Sequence, residues 1–267
     1  MKLRPIAGIV LRQFYLLRGS PVRLFPMVTW VAIDVVLWGF ITRYLNSVSG
    51  SGVNFIPTLL GAVLLWDFCT RIMQGVTTAF LEDVWSRNFL NLFASPLSIA
   101  EYVSGLVLTS MMTSSVGLAV MLALATLIFG LHFFSLGLAL VAFLLLLFVF
   151  GITLGILGSA MVLRLGPASE WLIWPLPAIL APFAAVFYPL ATLPHWMQWI
   201  ARALPPSYVF EGMRSLLAGQ TIPVALLWSG GALATLQLLL AGYFYSRVYR
   251  HAVRTGLLAR YSAESAS

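Results

Sequence analysis

The chain has 267 residues, of which 61% are hydrophobic and only 9% are charged, and its mean hydropathy is +0.97. Soluble domains are about half apolar and about a quarter charged, so this composition excludes an ordinary soluble protein and predicts an integral membrane protein. The 15 Lys and Arg residues outnumber the 8 Asp and Glu residues, for a formal charge of +7. They lie between apolar runs or near the two termini, which argues against a nucleic-acid-binding surface.

Two residue types exclude further classes of site. The only lysine is Lys2, and a Walker A loop needs a lysine directly after its glycines, so the chain does not bind ATP by that route. Cys69 is the only cysteine, and the histidines lie far apart without helical ligand spacing. We therefore predict no disulfide within the chain, no metal site and no cofactor of its own.

Residues 1–23 are predicted to form a cytoplasmic amphipathic helix in the membrane interface. Basic residues lie mostly off an apolar stripe at helical spacing, as in a helix that lies parallel to the membrane surface. The stripe consists of Ile6, Ile9, Val10, Phe14 and Leu17. The alternative is a basic tail that only sets the orientation of the protein.

Six transmembrane helices are predicted from the apolar runs, because one span needs roughly 20 mostly apolar residues. Residues 102–163 contain no Asp, Glu, Lys or Arg, and as one helix they would be about 93 Å long, so we expect a turn at residues 130–135. The spans are expected near residues 24–42, 55–80, 104–129, 135–163, 171–190 and 224–246. They make one all-α membrane domain over residues 24–253, and residues 254–267 are expected to be a cytoplasmic tail.

Six spans place both termini on one side of the membrane, and the positive charges indicate which side. Arg and Lys are enriched in cytoplasmic flanks. Residues 1–23 and 247–260 are rich in Arg, and Arg87 and Arg164 fall in loops on the same side. The opposite side carries only Arg43, Arg202 and Arg214. Both termini are therefore predicted to be cytoplasmic.

Two of the expected spans contain charged residues. Asp34 lies in the first span, and Asp67 and Arg71 lie in the second. Such residues should pair with one another or face a wet cavity. The i, i+4 spacing lets Asp67 and Arg71 pair directly, and Asp34 and Arg71 are expected at the same depth, about 16 Å from the inner boundary.

The connection between the second and third spans is predicted to contain a short cytoplasmic amphipathic helix. Acidic residues begin it, as suits a helix N-terminus, and Pro96 ends it. Its candidate docking residues are Glu82, Asp83, Trp85, Arg87, Phe89, Leu92, Phe93 and Pro96. The helix either caps the bundle at the membrane surface or enters a groove on a soluble partner.

The fourth span carries a stripe of small residues, Gly151, Gly155 and Ser159, at four-residue steps. Small residues let a second helix approach closely. This stripe either packs within the subunit or forms a seam between two subunits.

A helical hairpin, re-entrant or on the outer surface, is predicted after the fifth span. Pro194 can begin one short helix, which Pro205 and Pro206 must end. Ser207 is expected to be the N-cap of a second helix that reaches residue 218 and ends at Gly219. The hairpin's candidate functional residues are His195, Trp196, Trp199, Tyr208, Glu211 and Arg214. The two tryptophans also fit the ordinary aromatic belt at headgroup level.

The residues of this region resemble the end of ABC-2 type transporter permeases. The resemblance is carried by residues 187–199, Phe-Tyr-Pro-Leu-Ala-Thr-Leu-Pro-His-Trp-Met-Gln-Trp, and residues 204–214, Leu-Pro-Pro-Ser-Tyr-Val-Phe-Glu-Gly-Met-Arg. Residues 82–98 look like the cytoplasmic coupling segment of the same family. The order and spacing of these segments extend the resemblance over nearly the whole chain.

The resemblance implies the permease subunit of an ATP-driven exporter in a bacterial inner membrane. Such a permease pairs with a second copy, here expected to be identical, and with two copies of a separate subunit that binds ATP and Mg²⁺, so the chain itself would not be an enzyme. The cargo would be amphipathic, lipid-linked, saccharide or drug-like. Asp34, Asp67 and Arg71 would either lock the first two spans together or line the export path and contact a polar or anionic substrate, and the outer hairpin would serve as a gate.

Two other functions are compatible with a polytopic membrane protein. The chain could be an anchoring or assembly subunit that recruits a cytoplasmic ATPase without moving cargo. An integral membrane transferase would need acid, base or metal-binding groups clustered at one depth, and the spans offer few beyond the three charges named above.

Overall fold

A computed structural model describes residues 3–19, 21–49, 55–86, 88, 91–92 and 95–257. All regular structure in these ranges is helical. The helices of the first part of the chain are α1 (Leu3–Arg18), α2 (Pro21–Val48), α3 (Gly61–Trp85), α4 (Ile99–Phe129) and α5 (Leu138–Leu165). Those of the second part are α6 (Glu170–Ile173), α7 (Leu176–Leu180), α8 (His195–Arg202), α9 (Pro205–Leu217) and α10 (Val224–Arg254). A π-helical turn, Ile56–Leu60, leads into α3.

Five helices in the described ranges are long and apolar enough to cross a membrane. They are Val28–Val48, Ile56–Trp85, Ile99–Phe129, Leu138–Leu165 and Val224–Arg254. They correspond to the first four expected spans and the sixth. The turn expected at residues 130–135 falls between α4 and α5, where Gly130 ends α4 with a φ of 66°, a left-handed conformation that glycine adopts without steric cost.

The helices pack in a row around α3 and α5. α3 lies between α4 and α5, α10 packs on the other side of α5, and α1 and α2 both pack against α4. The small-residue stripe of α5 faces α3: a Cβ added at Gly151 would lie 2.7 Å from the carbonyl oxygen of Cys69, and one added at Gly155 would lie 2.7 Å from Cβ of Val76. Ser159 of the same stripe is buried and donates to the carbonyl oxygen of Gly155. The structure thus places the stripe inside the chain.

The directions of α5 and α10 show how the chain must run between them. Leu146, early in α5, lies beside Gly230, early in α10. Arg164, at the end of α5, lines the same groove as Arg247 and His251 near the end of α10. The two helices therefore run parallel, and residues 166–223 return from one end of the bundle to the other.

The prediction of one continuous fifth spanning helix over residues 171–190 is wrong. α6 and α7 are short, and residues 181–189 form turns and bends rather than helix. The physical reason is the prolines, which lack a backbone N–H and clash with the preceding helical turn. They are Pro175, Pro177, Pro182 and Pro189. The return path still runs along the bundle, since Ile173 packs at Gly158 and Phe187 stacks on Trp38 with ring centroids 5.9 Å apart.

The two ends of the chain are partly described. α1 buries Ile6, Ile9 and Gln13, and it packs across α4. At the other end α10 continues to Arg254, the first residue of the expected tail, and residues 258–267 of that tail lie outside the described residues.

Candidate functional site

A cavity of about 700 Å³ opens between α1, α2, α3 and α4. One of its walls is a polar stripe on α3. The stripe consists of Asp67, Arg71, Gln74, Thr78 and Glu82. These residues recur every three or four positions, so they share one helix face, and they extend over about 22 Å of the helix axis. The cavity therefore follows α3 from its middle to its C-terminal end.

The other walls mix hydroxyl groups with aromatic rings. α4 contributes Thr109, Thr113, Ser114 and Gly117. α2 contributes Trp30 and Asp34, α1 contributes Gln13 and Leu17, and Trp174 comes from the link between α6 and α7. Apart from Asp34, Asp67 and Arg71, sequence reasoning did not assign these groups to a cavity, and it expected Glu82 to dock a partner. The repeated polar positions on α3 and α4 were the signal that could have revealed them.

The structure brings the three charges of the first two spans together at this cavity. Arg71 Nε donates to Asp67 Oδ2 at 2.6 Å, and Arg71 Nη2 lies 3.8 Å from Asp34 Oδ2. Gly117 of α4 lies beside the arginine, and a Cβ added there would be in ordinary van der Waals contact with Arg71 Cδ, at 3.4 Å. The charges are thus both paired and at a cavity wall. Among the residues with described positions, no cluster of His, Cys, Asp or Glu suits a metal ion.

The first residues expected in the docking helix belong instead to α3. Glu82, Asp83 and Trp85 form its last turn, and Ser86 caps it. Asp83 is buried, with only 2% of its side chain exposed, so it cannot contact a soluble partner. Its carboxylate accepts hydrogen bonds from the guanidinium of Arg12 and from the Tyr102 hydroxyl, the latter at 2.7 Å.

The remaining docking residues are placed only in part. Trp85 is 52% exposed. Leu92 and Pro96 line a groove of about 340 Å³ against α1. Asn88 is not helical, so no continuous helix covers residues 82–93. The other three predicted docking residues, Arg87, Phe89 and Phe93, lie outside the described residues.

α1 contacts the bundle at the end where α3 stops and α4 begins. In the amide orientation that satisfies both neighbours, Gln13 donates to Glu82 Oε2 at 3.1 Å and accepts from Arg12 at 3.2 Å. Ile9 packs so closely on α4 that a Cβ added at Gly105 would lie 2.7 Å from its Cβ. Arg12, Asp83 and Tyr102 therefore link α1, the end of α3 and the start of α4. We call these three residues the three-helix link.

Ser98 and Glu101 begin α4 with a capping box. The Glu101 backbone N–H donates to Ser98 Oγ at 3.3 Å, and the Ser98 backbone N–H donates to Glu101 Oε2 at 3.1 Å. This reciprocal bonding satisfies two backbone donors of the first helical turn. Ser86 and Ser98, on the two sides of this connection, therefore each cap the end of a long helix.

Two short helices, α8 and α9, lie in the region where the hairpin was expected, and α9 begins earlier than predicted. Ser207 is not its N-cap: α9 starts at Pro205, because proline fits the first helical position. Ser207 Oγ instead donates to the carbonyl oxygen of Ala201 at 2.6 Å and ties the two helices together. Gly219 follows the end of α9 with a φ of 75°, as a helix terminator does.

The aromatic residues of α8 point outward. Trp196 and Trp199 are exposed, as is His195, and the Arg202 guanidinium lies 5.3 Å from the centroid of the Trp199 ring. Tyr208 donates to the carbonyl oxygen of Arg202 at 2.8 Å.

Glu211 and Arg214 form hydrogen bonds with the non-helical backbone that follows α7. Arg214 Nη2 donates to the carbonyl oxygen of Ala185 at 2.9 Å and to Glu211 Oε1 at 2.8 Å. The same glutamate oxygen accepts from the Leu190 backbone N–H at 2.7 Å. Ala185 has a φ of 52°, which is uncommon for a residue other than glycine. The pair therefore supplies hydrogen bonds that this non-helical backbone cannot make for itself.

The comparisons with known proteins complete these observations. The model of the ABC-2 type transporter family matches residues 10–218. The match includes every residue that lines the large cavity, the three-helix link and the hairpin. No curated protein matches the chain.

Proposed function

Because the chain belongs to the ABC-2 type transporter family, we propose that it is the transmembrane permease subunit of an ATP-driven exporter. Members of this family are membrane components of ABC transporters, and membership therefore implies a partner subunit that binds ATP. The proposed cargo is amphipathic, lipid-linked, saccharide or drug-like. ATP and Mg²⁺ would bind to the partner, and this chain would carry no catalytic group.

The observation that supports transport best is the polar stripe along the cavity. A bundle that only anchors a partner needs no open polar cavity beside its central helix, whereas the charges of this stripe border one. A hydrophilic wall about 22 Å long suits a route for polar groups. It ends at Glu82, one turn from the segment that would contact the ATP-binding subunit.

The three-helix link offers a mechanism for coupling. In this proposal residues 86–98 dock on the ATP-binding subunit, whose nucleotide state favours one position of the segment. Since Arg12, Asp83 and Tyr102 connect α1, α3 and α4, a shift of the segment moves the helices that line the cavity. The nucleotide then changes the populations of inward-open and outward-open states through its different affinity for each.

The rest of the architecture is assigned by the same proposal. Residues 170–189 make the fifth of six crossings, which leaves both termini in the cytoplasm of a bacterial cell with the chain in its inner membrane. The hairpin lies at the opposite end from residues 86–98, since Met213 packs at Gly61, the first residue of α3, and there it acts as an outer gate. Two identical permease copies assemble with two ATP-binding subunits.

The test is to purify the chain in mild detergent from its native host and to identify what co-purifies. We expect an ABC ATP-binding subunit at equal stoichiometry. Trp85→Ala should lower its amount about tenfold, because a tryptophan anchor commonly dominates an interface. Trp199→Ala is the matched control, since Trp199 is also exposed but lies at the other end of the bundle, and it should retain the partner.

Two results would count against this proposal. If no ATP-binding subunit accompanies the wild-type chain, the ATP-driven mechanism is contradicted. If Trp85→Ala and Trp199→Ala retain equal amounts of it, the partner does not dock beside the end of α3.

A further inference from the structure

The geometry points to an organic cation with an apolar body as the ligand of the large cavity. This inference rests on the proposed function, because it names the class of cargo that the cavity would take. Its first basis is the charge balance in the middle of the cavity. Asp34 and Asp67 place two carboxyl groups beside Arg71, the one cationic side chain among the described lining residues. Two carboxylates against one guanidinium leave a formal charge of −1 there.

Arg71 is already partnered by two carboxylates. Its Nε donates to Asp67 Oδ2 at 2.6 Å, and its Nη2 lies 3.8 Å from Asp34 Oδ2. An anion that approached the remaining N–H groups of Arg71 would meet both carboxylates beside them. A cation can instead approach Asp34, which has the longer contact with Arg71 and 35% of its side chain exposed. This ligand class differs from the polar or anionic substrate that was one of the two roles expected of these charges from the sequence.

Aromatic rings at the same cavity suit the apolar part of such a ligand. Trp30 precedes Asp34 by one helical turn on α2 and is 61% exposed, and Trp174 lines the cavity from the link between α6 and α7. Indole faces attract cations, and they also bury apolar surface. The volume of about 700 Å³ falls within the usual range of small-molecule sites. Charge, aromatic rings and size therefore favour the same class of molecule.

Two ions of the same shape and opposite charge provide the test. Tetraphenylphosphonium is the cationic probe and tetraphenylborate the anionic one, and binding of each to the purified full chain in nanodiscs is measured after subtracting empty nanodiscs. We expect tetraphenylphosphonium to bind and tetraphenylborate not to exceed the empty-disc background. Asp34→Asn should weaken cation binding about tenfold, because one nearby charge is removed, whereas Asp34→Glu should keep it within about threefold.

The aromatic contribution has its own matched pair of variants. Trp30→Leu should weaken tetraphenylphosphonium binding about fivefold. Trp228→Leu should leave it unchanged, since Trp228 is 75% exposed on α10 and does not line the cavity. This pair decides the question if Asp34→Asn does not fold.

Equal wild-type binding of the two probes, unchanged affinity in Asp34→Asn, or equal affinity in the two tryptophan variants would overturn the inference. These results are separate from the fate of the proposed function. A chain that co-purifies with an ATP-binding subunit but does not prefer the cation would keep the function and lose the cargo class. A chain that binds the cation as expected without any such partner would keep the cation site and lose the function.

Discussion

Arg71 is shared between carboxylates of two helices. Its short contact with Asp67 lies within α3, and its longer contact with Asp34 reaches α2. The side chains of Arg71 and Asp67 are only about one-sixth exposed, at 15% and 16%. Removing one partner of a buried pair leaves an uncompensated charge, which costs more than removing both.

Neutralising Arg71 alone should therefore cost more than neutralising both members of the pair. Arg71→Gln should lower the free energy of unfolding by about 2–3 kcal/mol, because Asp67 and Asp34 lose their shared cation. The double change Arg71→Gln with Asp67→Asn should recover much of that loss. Yield of monodisperse protein and thermal midpoint in one detergent measure both. Equal values for the single and double variants would show that the pair contributes nothing to folding.

Residue spacing could reveal only part of this site. Asp67 and Arg71 are four positions apart on one helix, so their pairing follows from helical geometry, and matching depth placed Asp34 near them. Arg12 and Asp83 are 71 residues apart, and no local pattern connects them. Asp83 was therefore assigned to a partner surface, although tertiary packing buries it against Tyr102.

The contact between α3 and α5 depends on the absence of side chains along one face of α5. Cβ atoms added at Gly151 or Gly155 would meet backbone or Cβ atoms of α3 at under 3 Å. Backbone atoms and Cβ atoms cannot rotate away, so the two helices would have to separate. These two helices are the most buried of the spans, and the cavity wall is the opposite face of α3.

Gly155→Ala should consequently destabilise the protein by about 1–3 kcal/mol through overpacking. The matched control is Gly231→Ala on α10, where an added Cβ meets no heavy atom within 4 Å. The control should be stabilising by about 0.5–1 kcal/mol, since alanine favours a helix over glycine. Thermal midpoints of the two variants in the same detergent compare them directly. A loss in Gly231→Ala as large as in Gly155→Ala would contradict this account.

Hydrophobic run length predicted the long helices but not the broken one. Five apolar runs correspond to helices that could span a membrane, and Gly130 marks a turn that the sequence placed. Residues 171–190 are similarly apolar, so hydropathy favoured a helix there. The prolines of that run were visible and argue for breaks, because each removes a backbone donor. Which carbonyl groups Arg214 satisfies could not be predicted, since that depends on how α9 folds back.

The return of residues 166–223 along the bundle fixes the overall topology. α5 and α10 run parallel, so Ser86, Arg164 and Thr255 belong to one end of the molecule. The loop at Gln220, between α9 and α10, belongs to the other end. With the crossing proposed for residues 170–189, the five long helices would place the two termini on the same side.

Cysteine labelling can test this topology against a low background, because Cys69 is the only cysteine and is buried. We expect Ser86→Cys, Arg164→Cys and Thr255→Cys to react with a membrane-impermeant maleimide only in inverted vesicles. Gln220→Cys should react only in intact cells, since all four positions are exposed but lie at opposite ends. Labelling of Gln220→Cys and Ser86→Cys from the same side would exclude a crossing by residues 166–223.

The hydrogen bonds that Glu211 and Arg214 make to the backbone of residues 185 and 190 also have a consequence for biosynthesis. Ala185 and Leu190 leave the ribosome before Glu211 and Arg214, the side chains that satisfy their backbone groups. Non-helical backbone is stable at membrane depth only when protein surrounds it. With residues 170–190 as the proposed crossing, this segment could not settle as an independent unit in the order of synthesis. It would reach its final place together with α8 and α9, after residue 214 has been synthesised.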